Sequence, residues 1–126
     1  IAIGRHRLTG DEPLPQGGSD EGPSPYDLLL ASLGSCKAMT VTLYAGRKAW
    51  PLDSVTVRLR HLKVHADDCA DCESKDVFLD RIDCEVELVG TLTGEQRARL
   101  LEIANRCPVH RTLTSKIDIR TSLAAS

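Results

Sequence analysis

The five cysteines, at positions 36, 69, 72, 84 and 107, are the residues of this sequence with the widest choice of chemistry. An odd number of cysteines cannot all pair within one chain, which argues against the disulfide framework of a small secreted protein. In a cytoplasmic protein, where we expect this chain, such thiols are buried, bind a metal ion or carry out redox reactions.

Cys107 lies in the segment Ala-Asn-Arg-Cys-Pro-Val-His-Arg-Thr, beside Arg106, His110 and Arg111. Positive charge near a thiol lowers its pKa and increases the reactive thiolate fraction. A plainer interpretation is a helix-ending Cys-Pro pair whose basic neighbours are solvated. The local sequence alone supports both interpretations equally.

Cys36 lies in Gly-Ser-Cys-Lys-Ala, within the most apolar stretch of the chain. Its small neighbours would let a small substrate approach the sulfur. Lys37 follows directly, but adjacent helical residues point in different directions, so it need not touch the thiol. The more common role of such a cysteine is that of a small buried hydrophobe.

A possible metal site is formed by the pattern H-x3-H-x3-C-x2-C at His61, His65, Cys69 and Cys72. Cysteine and histidine at such spacings bind zinc in small domains. The alternative is a polar hairpin loop with two surface histidines. A zinc-stabilised interaction domain is therefore the third functional hypothesis, after the two given below.

A long helix must position Cys36. Ser24, Pro25 and Asp27 form a helix start with a capping box, and Arg47 suits the negative helix end. Apolar residues cover most of the circumference between these ends. Such a helix is buried in a core or in an oligomer interface.

A long antiparallel hairpin follows this helix. Residues 53–65 alternate as a strand, with a change of phase that predicts a bulge near 60–61, and 66–75 form a polar turn. The second strand places Cys84 on the same face as Ile82, Val86 and Leu88, so we expect Cys84 in the core.

A second helix begins with a capping box at Thr93 and Gln96, and must break at Cys107 before Pro108, which can open a short helical turn. Residues 116–123 predict a closing strand and residues 1–9 a short first one. Four apolar residues face inward from the second helix: Leu100, Leu101, Ile103 and Ala104. The whole chain, 1–126, is thus predicted as one α+β domain.

The composition excludes several functions. Hydrophobic residues make up 41%, charged residues 27% and aromatic residues 3%, with a net charge of −2. A chain with no basic field and few aromatic rings is not suited to nucleic acid. No apolar run approaches the roughly 20 residues of a membrane span, so we expect neither nucleic-acid nor membrane partners.

Two segments, GPSPYDLLLASLGSC and CPVHRTL, whose cysteines are 71 positions apart, resemble the two cysteine motifs of the OsmC/Ohr family. The order of helix, hairpin and helix is also similar, and the sequence is closest to a less characterised branch. The resemblance implies an intertwined homodimer with the cysteine helices packed centrally. It implies a thiol-dependent peroxidase in which Cys36 reduces organic hydroperoxides, and hydrogen peroxide more weakly, and becomes a sulfenic acid.

The same resemblance implies that Cys107 resolves this sulfenic acid as a disulfide and that an external dithiol is the reductant, with no other cofactor. The sequence departs from the family where a glutamate stands ten residues before the first cysteine, because Tyr26 occupies that position and Asp27 follows it. Asp27 is expected to cap the helix instead. The family's N-terminal arginine would correspond to Arg5 or Arg7. These departures keep a second hypothesis open: a non-catalytic redox sensor or small-molecule-binding protein on the same scaffold.

Overall fold

The computed structural model describes residues 1–65 and 78–125. Short strands β1 (Ala2–Ile3) and β2 (His6–Arg7) pair antiparallel, and a 3-10 turn follows at Leu14–Gln16. The remaining elements are α1 (Pro25–Arg47), β3 (Leu52–His65), β4 (Phe78–Gly90), α2 (Gly94–Ala104) and α3 (Pro108–Leu113). The predicted α+β class and the long hairpin are confirmed.

Helix α1 begins as its sequence predicts. The Ser24 hydroxyl accepts a hydrogen bond from the Asp27 amide at 3.1 Å, and the Asp27 carboxylate accepts one from the Ser24 amide at 3.1 Å. This reciprocal capping satisfies amides that the first turn leaves without a helical partner. Asp27 is therefore engaged at the helix start.

Only one face of α1 is buried within this chain. The opposite face carries Met39 and Leu43, which are 65% and 61% exposed. The sequence predicts burial on nearly all sides of α1, whereas within the single chain only one side is buried. The buried face of α1 consists of Leu33, Gly34, Lys37, Val41 and Ala45.

Helix α1 also corrects one expectation from composition. By length and composition it is apolar enough to cross a membrane, with a mean hydropathy of 1.4. Core helices of globular proteins satisfy the same criterion. Here α1 packs along β3 and against α2, and a lysine is buried near its midpoint.

Strands β3 and β4 pair in continuous register from Ser54 opposite Val89 to His65 opposite Phe78. The bulge predicted near residues 60–61 is wrong, since the only shift of register between the described strands lies between Leu52 and Ser54. Leu62 and Val64 are instead half-buried on the outer face of the hairpin. Apolar residues on both faces produced an apparent change of phase in a regular strand.

The core lies where α1 crosses α2 and is built on Val41, Ala45, Leu100 and Ala104. The capping box predicted at the start of α2 is present, as the Thr93 hydroxyl accepts from the Gln96 amide. Leu101, predicted to face inward, is 51% exposed. Leu100 and Leu101 point about 100° apart on α2, and the direction of Leu101 lies outside the face that Leu100, Ile103 and Ala104 bury.

The closing strand predicted at residues 116–123 is not formed within this chain. Its alternating apolar residues remain exposed: Ile117 at 53%, Ile119 at 81% and Leu123 at 98%. A strand requires a neighbouring strand for its backbone hydrogen bonds, and no edge of β1–β4 receives this segment. The N-terminal prediction is realised as the small β1–β2 hairpin.

Candidate active site

Cys36 and Cys107 are brought together by the break between α2 and α3. Cys107 has extended backbone angles, φ −64° and ψ 147°, which turn α3 back towards α1. The Val109 amide then donates to the Cys36 sulfur at 3.5 Å, and the next amide of α3, that of His110, donates to the Cys107 sulfur at 3.4 Å. The structure thus places side by side the two thiols that the sequence analysis selected.

The two thiols differ in environment. Cys107 is fully buried and accepts a hydrogen bond from the His110 amide at 3.4 Å, whereas Cys36 is half-buried. Burial raises the pKa of the Cys107 thiol, and contact with Cys36 raises this pKa further, although the His110 amide and the Lys37 charge oppose the shift. Cys107 is therefore a thiol at neutral pH and can donate its hydrogen to Cys36.

A buried lysine adjoins the thiol pair. Lys37 is 2% exposed, and its Nζ bonds the Ala104 carbonyl at 3.1 Å, the Asn105 side-chain oxygen at 3.4 Å and His110 Nδ1 at 2.8 Å. Sequence reasoning did not assign Lys37 to the site. The available signal was its isolation, because it is the only charged residue of α1 between Asp27 and Arg47.

The contact with Lys37 determines the state of His110. An ammonium group has no acceptor, so His110 Nδ1 must accept this hydrogen bond and the ring proton must reside on Nε2. Burial and the nearby Lys37 charge lower the pKa of His110 below its ordinary value. The imidazole is therefore neutral at pH 7.

This lowered pKa predicts a loss of stability in mild acid. Below about pH 6.5 His110 takes up a proton more readily in the unfolded chain than in the folded protein. As the pH decreases, the free energy of unfolding therefore decreases by up to about 1.4 kcal/mol per pH unit. In urea unfolding of the reduced protein between pH 7.5 and 5.5, His110→Gln should flatten this slope. His6→Gln, at an exposed histidine, is the control. Equal slopes of unfolding free energy against pH in the parent, His110→Gln and His6→Gln would contradict the prediction.

Tyr26, in the first turn of α1, contacts the hairpin. Its ring stacks on His61 with centroids 4.5 Å apart and planes 7° from parallel. His61 Nε2 contacts Asp80 Oδ1 at 2.8 Å, and Lys63 donates to the same oxygen at 3.0 Å. The hydrogen bond from Lys63 has the larger effect and that with His61 the smaller, and both lower the pKa of Asp80. Tyr26 thus forms part of a polar cluster on β3 and β4.

The other predicted site residues lie apart from the thiols. Arg5 and Arg7 are exposed in the β1–β2 hairpin, and the Arg7 side chain donates to the His6 carbonyl at 3.4 Å. Within residues 1–65 and 78–125, neither arginine has a hydrogen bond or ion pair with Cys36 or Cys107.

The proposed zinc ligands Cys69 and Cys72 lie outside the described residues, so the structure leaves that hypothesis as it was. Among the residues the structure describes, no three metal-binding side chains cluster together. His61, the first member of the pattern, is engaged with Asp80.

Cys84 is exposed, and the prediction that it lies in the core is wrong. The face of β4 was predicted correctly, because Cys84 pairs with Leu59, whose side chain approaches Gly34 of α1. A cavity of about 260 Å³ separates this part of β4 from α3 and leaves the thiol accessible. It is lined by Leu33, Asp80, Ile82, Cys84, His110, Leu113 and Thr114. Partial burial raises the pKa of Cys84, while Lys37 acts in the opposite direction.

A second cavity, of about 330 Å³, lies between α1, α2 and α3, and neither Cys36 nor Cys107 lines it. Thr40 and Leu43 line it, and they follow Cys36 by four and seven residues, which places all three on one helical face. Pro108, the neighbour of Cys107, closes the cavity from α3. The remaining lining residues are Tyr44, Arg47, Ile103, Arg106 and Arg111.

A half-buried thiol beside a buried, protonated one defines a dithiol site on an α+β scaffold. The profile of the family described as OsmC-like protein matches residues 18–122. The chain therefore belongs to the OsmC-like protein family, as its two cysteine motifs predicted. A search of curated protein sequences gives no match.

Solved structures share this fold at low sequence identity. An OsmC-like protein from Mycoplasma pneumoniae has a TM-score of 0.69 and 20% identity, over 89% of this chain and 75% of that one. A Legionella pneumophila protein named organic hydroperoxide resistance protein OsmC has a TM-score of 0.64 and 18% identity, over 91% and 79%. A Vibrio cholerae organic hydroperoxide resistance protein, with captopril bound in one of its active sites, has a TM-score of 0.63 and 19% identity, over 88% and 72%.

Proposed function

We propose that the protein is a thiol-dependent peroxidase that reduces organic hydroperoxides, and hydrogen peroxide more weakly. The observation that carries this proposal is the contact between half-buried Cys36 and buried Cys107. One thiol is accessible to a substrate, and the other is protonated and adjacent, ready to form a disulfide. Related structures named organic hydroperoxide resistance proteins support the same reaction class.

In the proposed reaction, the Cys36 thiolate attacks the terminal oxygen of the hydroperoxide. The O–O bond breaks, Cys36 is oxidised to the sulfenic acid, and the departing alkoxide takes up a proton and leaves as the alcohol. The Val109 amide, 3.5 Å from the Cys36 sulfur, stabilises the attacking thiolate.

Cys107 then attacks the sulfur of the Cys36 sulfenic acid. The S–O bond breaks, a disulfide forms, and the oxygen leaves as water with the proton that Cys107 gives up. An external dithiol returns two electrons and two protons by thiol–disulfide exchange. Such dithiols are maintained in the cytoplasm, where we place the protein.

The 330 Å³ cavity is the proposed substrate site, because it adjoins the helical face of Cys36. Leu43, Ile103 and Pro108 provide apolar contacts for the organic part of a hydroperoxide. Hydrogen peroxide would gain nothing from these contacts, which is why we expect it to be the poorer substrate.

We further propose that a second copy of the chain covers the bare face of α1, forming an intertwined homodimer. Met39 and Leu43 on that face, and Ile119 and Leu123 in the C-terminal segment, are all more than half exposed in the single chain. Apolar residues exposed together on one helix and one extended segment are typical of an obligate interface.

The proposal is tested by oxidising the reduced protein with one equivalent of tert-butyl hydroperoxide and mapping its disulfides. We expect a rapid loss of two hydrogens in the intact mass, located in a Cys36–Cys107 disulfide. An unchanged mass, or oxidation confined to Cys69 and Cys72, would exclude the peroxidase mechanism.

The alternative, a redox sensor or small-molecule-binding protein, is favoured by one observation. The position of the family's glutamate holds Tyr26, which stacks on His61 and offers no carboxylate to the thiol site. A sensor would form the same disulfide once and slowly, whereas a peroxidase would consume hydroperoxide repeatedly with a dithiol present. Steady-state turnover with dithiothreitol separates the two functions.

A further inference from the structure

The buried lysine of α1 has no negatively charged partner in the described part of the chain. Its three ammonium hydrogens are directed at neutral acceptors on Ala104, Asn105 and His110. No carboxylate among residues 1–65 and 78–125 lies within ion-pair distance of its Nζ. Removing an ammonium group from water is costly unless a negative charge compensates for it.

Among residues 1–65 and 78–125, the ionisable groups left to supply this charge close to Lys37 are thiols. Lys37 directly follows Cys36 in α1, and its ammonium group bonds the Ala104 carbonyl, which also accepts from the Cys107 amide at 3.4 Å. It also bonds His110, whose amide donates to the Cys107 sulfur, and its positive charge acts on Cys107 and on Cys84 of β4. His110 of α3 is in direct contact and neutral. Asp80 of β4 shares a cavity wall with His110, but its carboxylate is engaged by Lys63 and His61.

We infer that Lys37 is a positioning residue whose buried ammonium group compensates the negative charge of the Cys36–Cys107 thiol pair. The pair then carries one charge, with the Cys107 thiol donating to the Cys36 thiolate and the ammonium group fixed nearby. The three hydrogen bonds hold the ammonium group in place before any substrate arrives. Lys37 thus supplies from α1 itself the positive charge that Arg5 and Arg7 do not supply in this chain.

This inference deepens the proposed function and rests on it, because a compensated thiolate is useful only if Cys36 attacks a substrate. Its test does not require a peroxide. The pH dependence of Cys36 alkylation by iodoacetamide, followed by peptide mass spectrometry, reports the thiolate directly. The reduced Cys107→Ser protein is used so that a single thiol of the pair is titrated.

In this background, Lys37→Met should move the midpoint of Cys36 alkylation upward by about one pH unit or more, a roughly tenfold lower rate at pH 7. At a pH above both midpoints the rate should be unchanged, since Cys36 is then a thiolate in both proteins. Lys37→Gln, which keeps a donor but lacks the charge, should give the same shift. Lys37→Arg keeps the charge and should keep the midpoint.

Lys48→Met is the matched control, because it removes the same charge from the exposed end of α1, about 18 Å along the helix from Cys36. It should leave the midpoint unchanged. A midpoint in folded Lys37→Gln equal to that of the parent, or a loss of rate that is the same at every pH, would overturn the inference. If the midpoint shifts as expected but hydroperoxide yields no sulfenic acid, the proposed function fails and the role of Lys37 stands.

Discussion

Replacing Cys36 by serine should reduce hydroperoxide turnover by at least about a thousandfold, the scale of loss seen when a catalytic nucleophile is removed. A serine hydroxyl stays protonated at neutral pH and cannot be oxidised to a sulfenic acid, so the first step has no substitute. Consumption of tert-butyl hydroperoxide in the presence of excess dithiothreitol measures the effect. Cys36 is half-buried on α1, so serine is expected to be tolerated by the fold.

Cys107→Ser should have a different consequence, because the buried thiol is not the attacking group. The first oxidation should proceed, and the Cys36 sulfenic acid should then persist and react with dimedone, adding one label per chain. Without its resolving partner, this intermediate is open to further oxidation to the sulfinic acid. The two substitutions therefore separate attack from resolution.

Cys84→Ser provides the matched control, since Cys84 is an accessible thiol near the same lysine. Turnover should stay within about twofold of the parent, as is usual for changes outside the machinery. If both Cys36→Ser and Cys107→Ser retained full turnover, or if only Cys84→Ser abolished it, the proposed assignment of the thiols would be wrong.

Met39→Glu should convert the protein from a dimer to a monomer. Met39 lies on the side of α1 opposite the core and is 65% exposed in the single chain. Burying a methionine side chain contributes about 1.5–3 kcal/mol, and a symmetric interface loses this twice, so Kd should rise by at least about a hundredfold. The unpaired carboxylates add a desolvation cost.

Light scattering coupled to size exclusion measures the change in mass across a range of protein concentrations. Leu101→Glu is the control, because Leu101 is a comparably exposed apolar residue on α2, beside Val86 and Leu88 of the hairpin. It should leave the mass unchanged. A parent protein that is monomeric at every concentration would refute the proposed dimer, and a dimeric Met39→Glu would place the interface elsewhere.

Local patterns were sufficient for most of the secondary structure. Both capping boxes, at Ser24 and Thr93, and the helix break before Pro108 follow from hydrogen bonds and backbone restrictions within a few residues. The hairpin follows from alternation over two adjacent segments. The family, too, is contained in the sequence, since its two cysteine motifs are contiguous.

The segment 116–123 marks one limit of this reasoning. It has the alternation of a strand, yet a strand forms only where another edge accepts its hydrogen bonds. In the single chain, none of the described strands pairs with this segment. The prediction that Leu101 faces inward was wrong for a related reason. The apolar character of a residue shows that it can be buried, but it does not show which face of α2 packs against the core.

The sequence by itself determined the helices and the hairpin and predicted the two thiols, because the motifs that indicate them depend on neighbours along the chain. Only the tertiary structure decided that Cys84 borders a cavity and that Lys37 is buried against His110. Whether a side chain is buried, and which acceptors surround it, depends on elements up to 73 positions away. Packing of α1 against the α2–α3 break therefore decides the electrostatics of the site, and no periodicity within α1 encodes it.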